Sequence, residues 1–121
     1  MPEFSLPHHH SDVIVSERLH DYVNQIPLFE TIAGVFKQLS DPSRVRIFWL
    51  LCHCEECVLN ISAMVEMSSP AVSHHLRQLK LGGLIVSRRV GKEVYYKAAS
   101  TEQAQLLHLM IERTMAIACP E

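Results

Sequence analysis

Two helix starts, one helix stop and two short β-type runs follow one another between residues 40 and 98. Their order restricts the folds open to this chain. Ser40-Asp41-Pro42 is the first start: Asp41 can accept backbone N–H bonds as a cap, and Pro42 suits the first helical position, where no N–H is needed. The helix it opens runs through Val45, Ile47, Phe48, Leu50 and Leu51, with Arg44 and Arg46 interspersed. After residues 52–57, the apolar segment 58–65 is predicted helical. Met67-Ser68-Ser69-Pro70 is a turn into a second capped start. The helix predicted from Pro70 to Leu81 turns Ala71, Val72, Leu76 and Leu79 inward, and Gly82-Gly83 stops it. Residues 84–89 and 94–98 read as strands joined by the turn Val90-Gly91-Lys92-Glu93, a hairpin signal.

Helices frame this unit on both sides. Val13, Val15, Leu19, Val23 and Ile26 are loosely helical in spacing, and Pro27 is predicted to end that element. Phe29, Ile32, Ala33, Phe36 and Leu39 form an amphipathic repeat. A last helix is predicted over 101–118, capped by Ser100 or Thr101, with Leu106, Leu107, Met110, Ile111 and Met115 as its apolar stripe. Residues 1–10 carry Pro, His and little periodicity and read as a flexible arm before a folded domain over 11–121. The predicted class is α+β: a mostly helical winged helix-turn-helix with one β-hairpin wing. With 121 residues and 48% apolar content, the chain suits one domain and is too apolar for a disordered segment.

Several function classes drop out. No run approaches the roughly 18 apolar residues of a membrane span, so no membrane partner is expected. The first ten residues lack the basic start and apolar stretch of a secretion signal, and a cytoplasmic protein is expected. The sequence shows neither a Gly-rich phosphate loop nor a supported nucleophile–base arrangement, so the chain is not read as an enzyme.

The total charge of −2 conceals a segregation. Residues 68–97 hold six basic side chains, Arg77, Lys80, Arg88, Arg89, Lys92 and Lys97, against Glu93 alone. That is a net +5, leaving −7 for the remainder. A helix enters the major groove of duplex DNA and a basic hairpin reaches the neighbouring backbone. Ser69, Ser73, His74, Arg77 and Gln78 are therefore candidate readers or anchors in the groove, and Arg88, Arg89 and Lys92 candidate phosphate contacts. His74 and His75 point about 100° apart on a helix, so one is expected at DNA and the other at the helix edge.

Leu39-Ser40-Asp41-Pro42-Ser43-Arg44, then Ala71-Val72-Ser73-His74-His75-Leu76-Arg77-Gln78-Leu79, Gly83-Leu84-Ile85 and Gly91-Lys92-Glu93-Val94-Tyr95-Tyr96 together resemble the ArsR/SmtB family of bacterial repressors over about residues 29 to 112. The resemblance implies a homodimer built from the first and last helices and bound to double-stranded operator DNA with an inverted repeat. It also implies an inducer, usually a metal ion, that weakens DNA binding. Ser69, Ser73, His74 and Arg77 match the family's DNA-contacting helix.

Cys52-His53-Cys54-Glu55-Glu56-Cys57 has C-x-C-x-x-C spacing, which lets thiolates converge on a soft ion such as Zn(II), Cd(II), Pb(II), Cu(I) or As(III). Cys54 and Cys57 form the favoured chelating pair across a turn, with Cys52 as a third thiol and His53 or His8, His9 and His10 as further donors. By resemblance the family's C-x-C pair should fall at Cys57 and Leu59, and only Cys57 matches. The family's site on the last helix aligns with Ser100, Glu102, Arg113 and Ala116, which lack its ligands. His108 and Glu112 are spaced i, i+4 and read as a helical pair or as two ligands. Cys52 and Cys119 offer an alternative, a thiol-based redox or persulfide sensor of the same fold. A metal-chelating protein that does not bind DNA is the remaining reading. If DNA is the partner, Arg88→Ala will weaken binding to all sequences and lower its salt dependence, whereas Ser73→Ala will relax sequence preference, both readable in a gel-shift titration.

Overall fold

A computed structural model describes residues 6–8 and 17–119 of the chain. Its elements run α1 (Glu17–Val23), α2 (Ile26–Gln38), α3 (Pro42–His53), β1 (Glu56–Cys57), α4 (Val58–Val65), α5 (Ser69–Leu81), β2 (Ile85–Val90), β3 (Glu93–Ala98) and α6 (Glu102–Ala118). The backbone forms two units, 1–34 and 35–121. The proposed arm and the helical spacing of Val13 and Val15 fall mostly outside the described residues.

In the first unit, α1 ends at Val23 and α2 begins at Ile26. Pro27 thus opens a helix instead of ending one, because a proline in the first turn sacrifices no helical hydrogen bond. Neither helix holds a buried residue, and Leu19, Val23, Ile26 and Phe29 stay exposed.

The second unit holds the core. Asp41 accepts from the Arg44 N–H and Pro42 follows it, so α3 starts where its cap dictates. From α3, Ile47, Phe48 and Leu51 are at most 2% exposed and pack with Ile61 of α4, Val72, Leu76 and Leu79 of α5, and Leu84. Ser68 caps α5 by accepting from the Ala71 N–H. The turn between α4 and α5 places Glu66 in the left-handed region (φ 57°, ψ 48°), while the Met67 N–H reaches the Ser62 carbonyl. Arg46 donates to the Val65 carbonyl at 2.8 Å, satisfying the end of α4.

The two glycines after α5 have different jobs. Gly82 lies under the Gln38 side chain, where a Cβ would collide with the amide. Gln38 also donates from Nε2 to the Gln78 carbonyl. Gly83 takes φ +76°, which turns the chain into β2. β2 and β3 then pair antiparallel from Ile85–Ala98 to Val90–Glu93 around a two-residue turn with Gly91 at φ +63°, the glycine position of a tight hairpin turn.

Two sequence expectations change. The hairpin is part of a three-stranded sheet, ordered β1-β3-β2, because Glu56 and Cys57 pair with Tyr96 and Tyr95. On α6 only Ala104 and Leu107 are buried, while Leu106, Met110 and Met115 of the expected stripe are 57%, 41% and 43% exposed. The core contacts only a narrow strip of α6. The helix-turn-helix, wing and closing helix otherwise stand as predicted.

Glu66 carries a side chain at a backbone conformation that disfavours one. Glu66→Gly should stabilise the protein by about 0.5–1 kcal/mol after the entropy of the unfolded glycine is counted, measured as a higher urea midpoint.

Candidate functional site

Local helix geometry sorts the α5 side chains. Burial of Val72, Leu76 and Leu79 turns His74 and Arg77 outward, where both are exposed, with Ser73 and Gln78 half-buried beside them. Ser69 is half-buried, its Oγ 3.2 Å from the Ser62 Oγ, so this hydroxyl is shared with α4. His75 lies back against α3, its side chain 14% exposed and Nδ1 3.6 Å from the Asp41 carboxylate. The two histidines therefore face different surroundings, His74 open and His75 packed.

The wing supplies exposed Arg88, Arg89 and Lys92. Arg88 is not an unengaged cation. Its Nη2 donates to Glu55 Oε1 at 2.6 Å and its Nε to both carboxylate oxygens at 2.9 and 3.0 Å. The Arg88 hydrogen bonds hold the Glu55 carboxyl below the usual carboxylate range, and Glu55 raises Arg88 in turn. Counting charge over residues 68–97 missed this acid, which arrives from the loop after α3. Arg89 donates to the Gly91 carbonyl across the tip, and Lys80 to Ser87 Oγ.

The C-terminal end of α3 gathers a second set of polar groups. His53 is its last residue and Cys54 its extended C-cap. His53 Nε2 lies 3.2 Å from Glu112 Oε1 on α6, His108 Nε2 lies 3.0 Å from the same oxygen, and the two Nε2 atoms are 3.2 Å apart. Trp49 Nε1 donates to that oxygen at 3.1 Å. These donors, Trp49 first, pull the Glu112 carboxyl below its ordinary range. Among the described residues, the group of three His, Cys, Asp or Glu donors lying mutually within 4.8 Å is His53, His108 and Glu112.

The cysteines are distributed differently from their spacing in sequence. Cys52 and Cys54 border a cavity of about 320 Å³ together with His108, Glu55 and Lys97. Cys57 is not among its walls; it is 8% exposed, in register with Tyr95, at the N-terminus of α4. The expected Cys54–Cys57 pairing thus joins a cavity-wall thiol to one buried in the sheet, because β1 takes the chain into an extended path between them. Burial, then the Glu112 charge, pushes the Cys52 thiol up to about 11. Burial and Glu56 also raise Cys54, whose Sγ donates to the Leu50 carbonyl. Cys119 borders a different, apolar cavity with Leu107, Met110 and Met115. His9 and His10 lie outside the described residues.

Residues 41–87 match the family described as "Bacterial regulatory protein, arsR family". A cadmium resistance transcriptional regulatory protein CadC homolog of Staphylococcus aureus is 38% identical over 94 residues, covering 77% of this chain and 76% of that protein. The chain belongs to the ArsR family. A transcriptional repressor SmtB homolog of Synechocystis is 40% identical over 77 residues, covering 64% of this chain and 58% of that relative's length. Among solved structures, a homodimeric winged helix-turn-helix DNA-binding domain from Mycobacterium bovis superposes with TM-score 0.68 at 32% identity, over 81% of this chain and 89% of that one. This ArsR-family chain shares the fold of that domain. No helix among the described residues is long and apolar enough to cross a membrane.

What sequence reasoning missed is tertiary. It paired His108 with Glu112 by helical spacing but assigned His53 to the cysteines, and it left Trp49 without a polar role. Glu55 was invisible as a partner of Arg88 because 33 residues separate them. Glu55→Gln should release Arg88 to phosphate. Affinity for non-operator DNA should rise, and the slope of log K against log salt should steepen by about 0.9, measured by fluorescence anisotropy across a salt series.

Proposed function

We propose that this protein is a homodimeric transcriptional repressor that binds double-stranded operator DNA through α5 and the β2–β3 wing and is released by a metal or metalloid ion. The observation that carries this reading is the pairing of an outward α5 face, with His74 and Arg77 exposed, and a basic hairpin tip beside it. Ser69, Ser73, His74, Arg77 and Gln78 read or anchor the major groove. Arg89 and Lys92 meet phosphate directly, and Arg88 does so in competition with Glu55.

Dimerisation through the first and last helices is supported by the apolar side chains that the fold leaves uncovered. Leu106, Leu109, Met110, Met115 and Ile117 of α6 are all more than 40% exposed, more apolar surface than a lone soluble helix usually shows. The Mycobacterium bovis neighbour is homodimeric. A twofold dimer presents two α5 helices to half-sites about one DNA turn apart, which makes an inverted repeat the matching operator. The winged domain spans residues 11–121, with 1–10 as an arm ahead of it, and the protein acts in the cytoplasm without catalysis.

The inducer reading draws on the relatives named for cadmium and for SmtB and on the donors at the end of α3. Cys52 and Cys54 share one cavity wall and offer thiolates to ions such as Zn(II), Cd(II), Pb(II), Cu(I) or As(III), with Cys57 as the buried third thiol of the run. The redox alternative is less favoured, because Cys52 and Cys119 open onto separate cavities.

Selection of duplexes from a randomised pool tests the reading. The protein should enrich a two-fold symmetric sequence. Arg77→Ala should reduce the preference for it over random DNA, and Lys92→Ala should weaken binding to both. Leu106→Glu with Met110→Glu should yield a folded monomer by analytical ultracentrifugation, with operator affinity lost. Failure to enrich any sequence overturns the assignment.

A further inference from the structure

We infer that His53, His108 and Glu112 form a binding site for a divalent transition-metal ion of the nitrogen- and oxygen-preferring class, Zn(II), Co(II) or Ni(II), separate from the cysteine run. The site itself stands on geometry within residues 35–121. Only its effect on DNA rests on the repressor reading above.

Three donor atoms from two helices make a nearly equilateral triangle with sides of 3.0, 3.2 and 3.2 Å. Ligands bound at about 2.1 Å and at roughly right angles to one another lie about 3.0 Å apart, and tetrahedral ligands lie about 3.4 Å apart. The triangle falls between these values, so one ion seated about 1 Å above its plane would meet all three atoms at bonding distance. Two imidazoles and one carboxylate with a position left open is a known donor set for Zn(II). The open positions face water, since the three side chains are 46%, 31% and 42% exposed.

Hydrogen bonding alone serves this cluster poorly. Trp49, His53 and His108 all converge on one oxygen of Glu112, and the two Nε2 atoms also face each other. If both carry protons, these crowd into the same gap. If one carries a lone pair, it faces the carboxylate without a proton between them. An ion resolves the conflict: each imidazole keeps its proton on Nδ1 and turns its Nε2 lone pair inward. Trp49 then remains as the outer donor that orients the carboxylate, the kind of support that metal-bound carboxylates generally have.

Position gives the site a consequence. His53 ends α3, Cys54 caps it, and Glu55 grips Arg88 of the wing. An ion tying His53 to α6 fixes the point from which the Glu55 loop departs. Coupling between sites requires only that the ion favour one of two arrangements of such an element.

Metal-free, reduced full-length protein titrated with Co(II) and Zn(II) tests the site. With Cys52 and Cys54 replaced by serine, one ion should still bind per chain, and its Co(II) form should show weak visible bands without a sulfur-to-cobalt charge-transfer band. His108→Ala and Glu112→Gln should each lower affinity about 100-fold, and Trp49→Phe about 10-fold, with folding checked by circular dichroism. Cys52→Ser and Cys54→Ser should leave affinity unchanged. Loss of binding in the cysteine variants, or no binding of Co(II) or Zn(II), would each overturn the proposal, and the titration of the cysteine variants decides even if a histidine variant fails to fold. If the ion binds with the expected spectrum but DNA affinity does not respond, the site stands and metal release of DNA falls. If DNA responds only to Cd(II) or As(III), the cysteines are the inducer site and the triad does not serve release.

Discussion

Burial of Ile47, Phe48 and Leu51 against Val72, Leu76 and Leu79 is the contact from which the rest of the second unit takes its geometry. These side chains are at most 2% exposed, and emptying such a position of an aromatic ring costs about 3–5 kcal/mol in well-packed cores. Spending one face of α5 on this contact leaves His74 and Arg77 on the opposite face, open to solvent. The stiffness of the packed core therefore becomes positional accuracy at His74 and Arg77.

The same helix α3 that anchors the core also organises the chemistry at its far end. Over residues 49–55 the chain meets two other elements: Trp49 and His53 reach Glu112 on α6, Cys54 closes the helix, and Glu55 just beyond it holds Arg88 on β2. Polar groups collect there because the helix leaves the core at that point and its last carbonyls and side chains need partners. Short covalent and ionic links thus join this end of α3 to the wing.

Much of the fold was legible because the signals were local. Asp41-Pro42 and Ser68 cap helices where their chemistry demands, and Gly91 sits at the hairpin turn that requires it. Pro27 was misread because proline marks both the residue before a break and the first turn of a helix. Strand β1 was not legible: two residues carry no periodicity, and Glu56–Cys57 becomes a strand only because β3 offers an edge. The α6 stripe was visible as apolar, but spacing cannot say whether the partner is the chain's own core.

The candidate site divides along the same line. Taken alone, the amino-acid sequence determined the helix-turn-helix, the wing, the outward residues of α5 and the presence of soft and borderline metal donors near residue 53, because caps, turns and periodicity act over a few residues. Only the tertiary structure decided which of those donors converge. It set His53 against His108 and Glu112, turned Cys57 into the sheet and brought Glu55 onto Arg88. Convergence depends on where α6 and β3 pack against α3, and that is settled by the burial of side chains tens of residues apart.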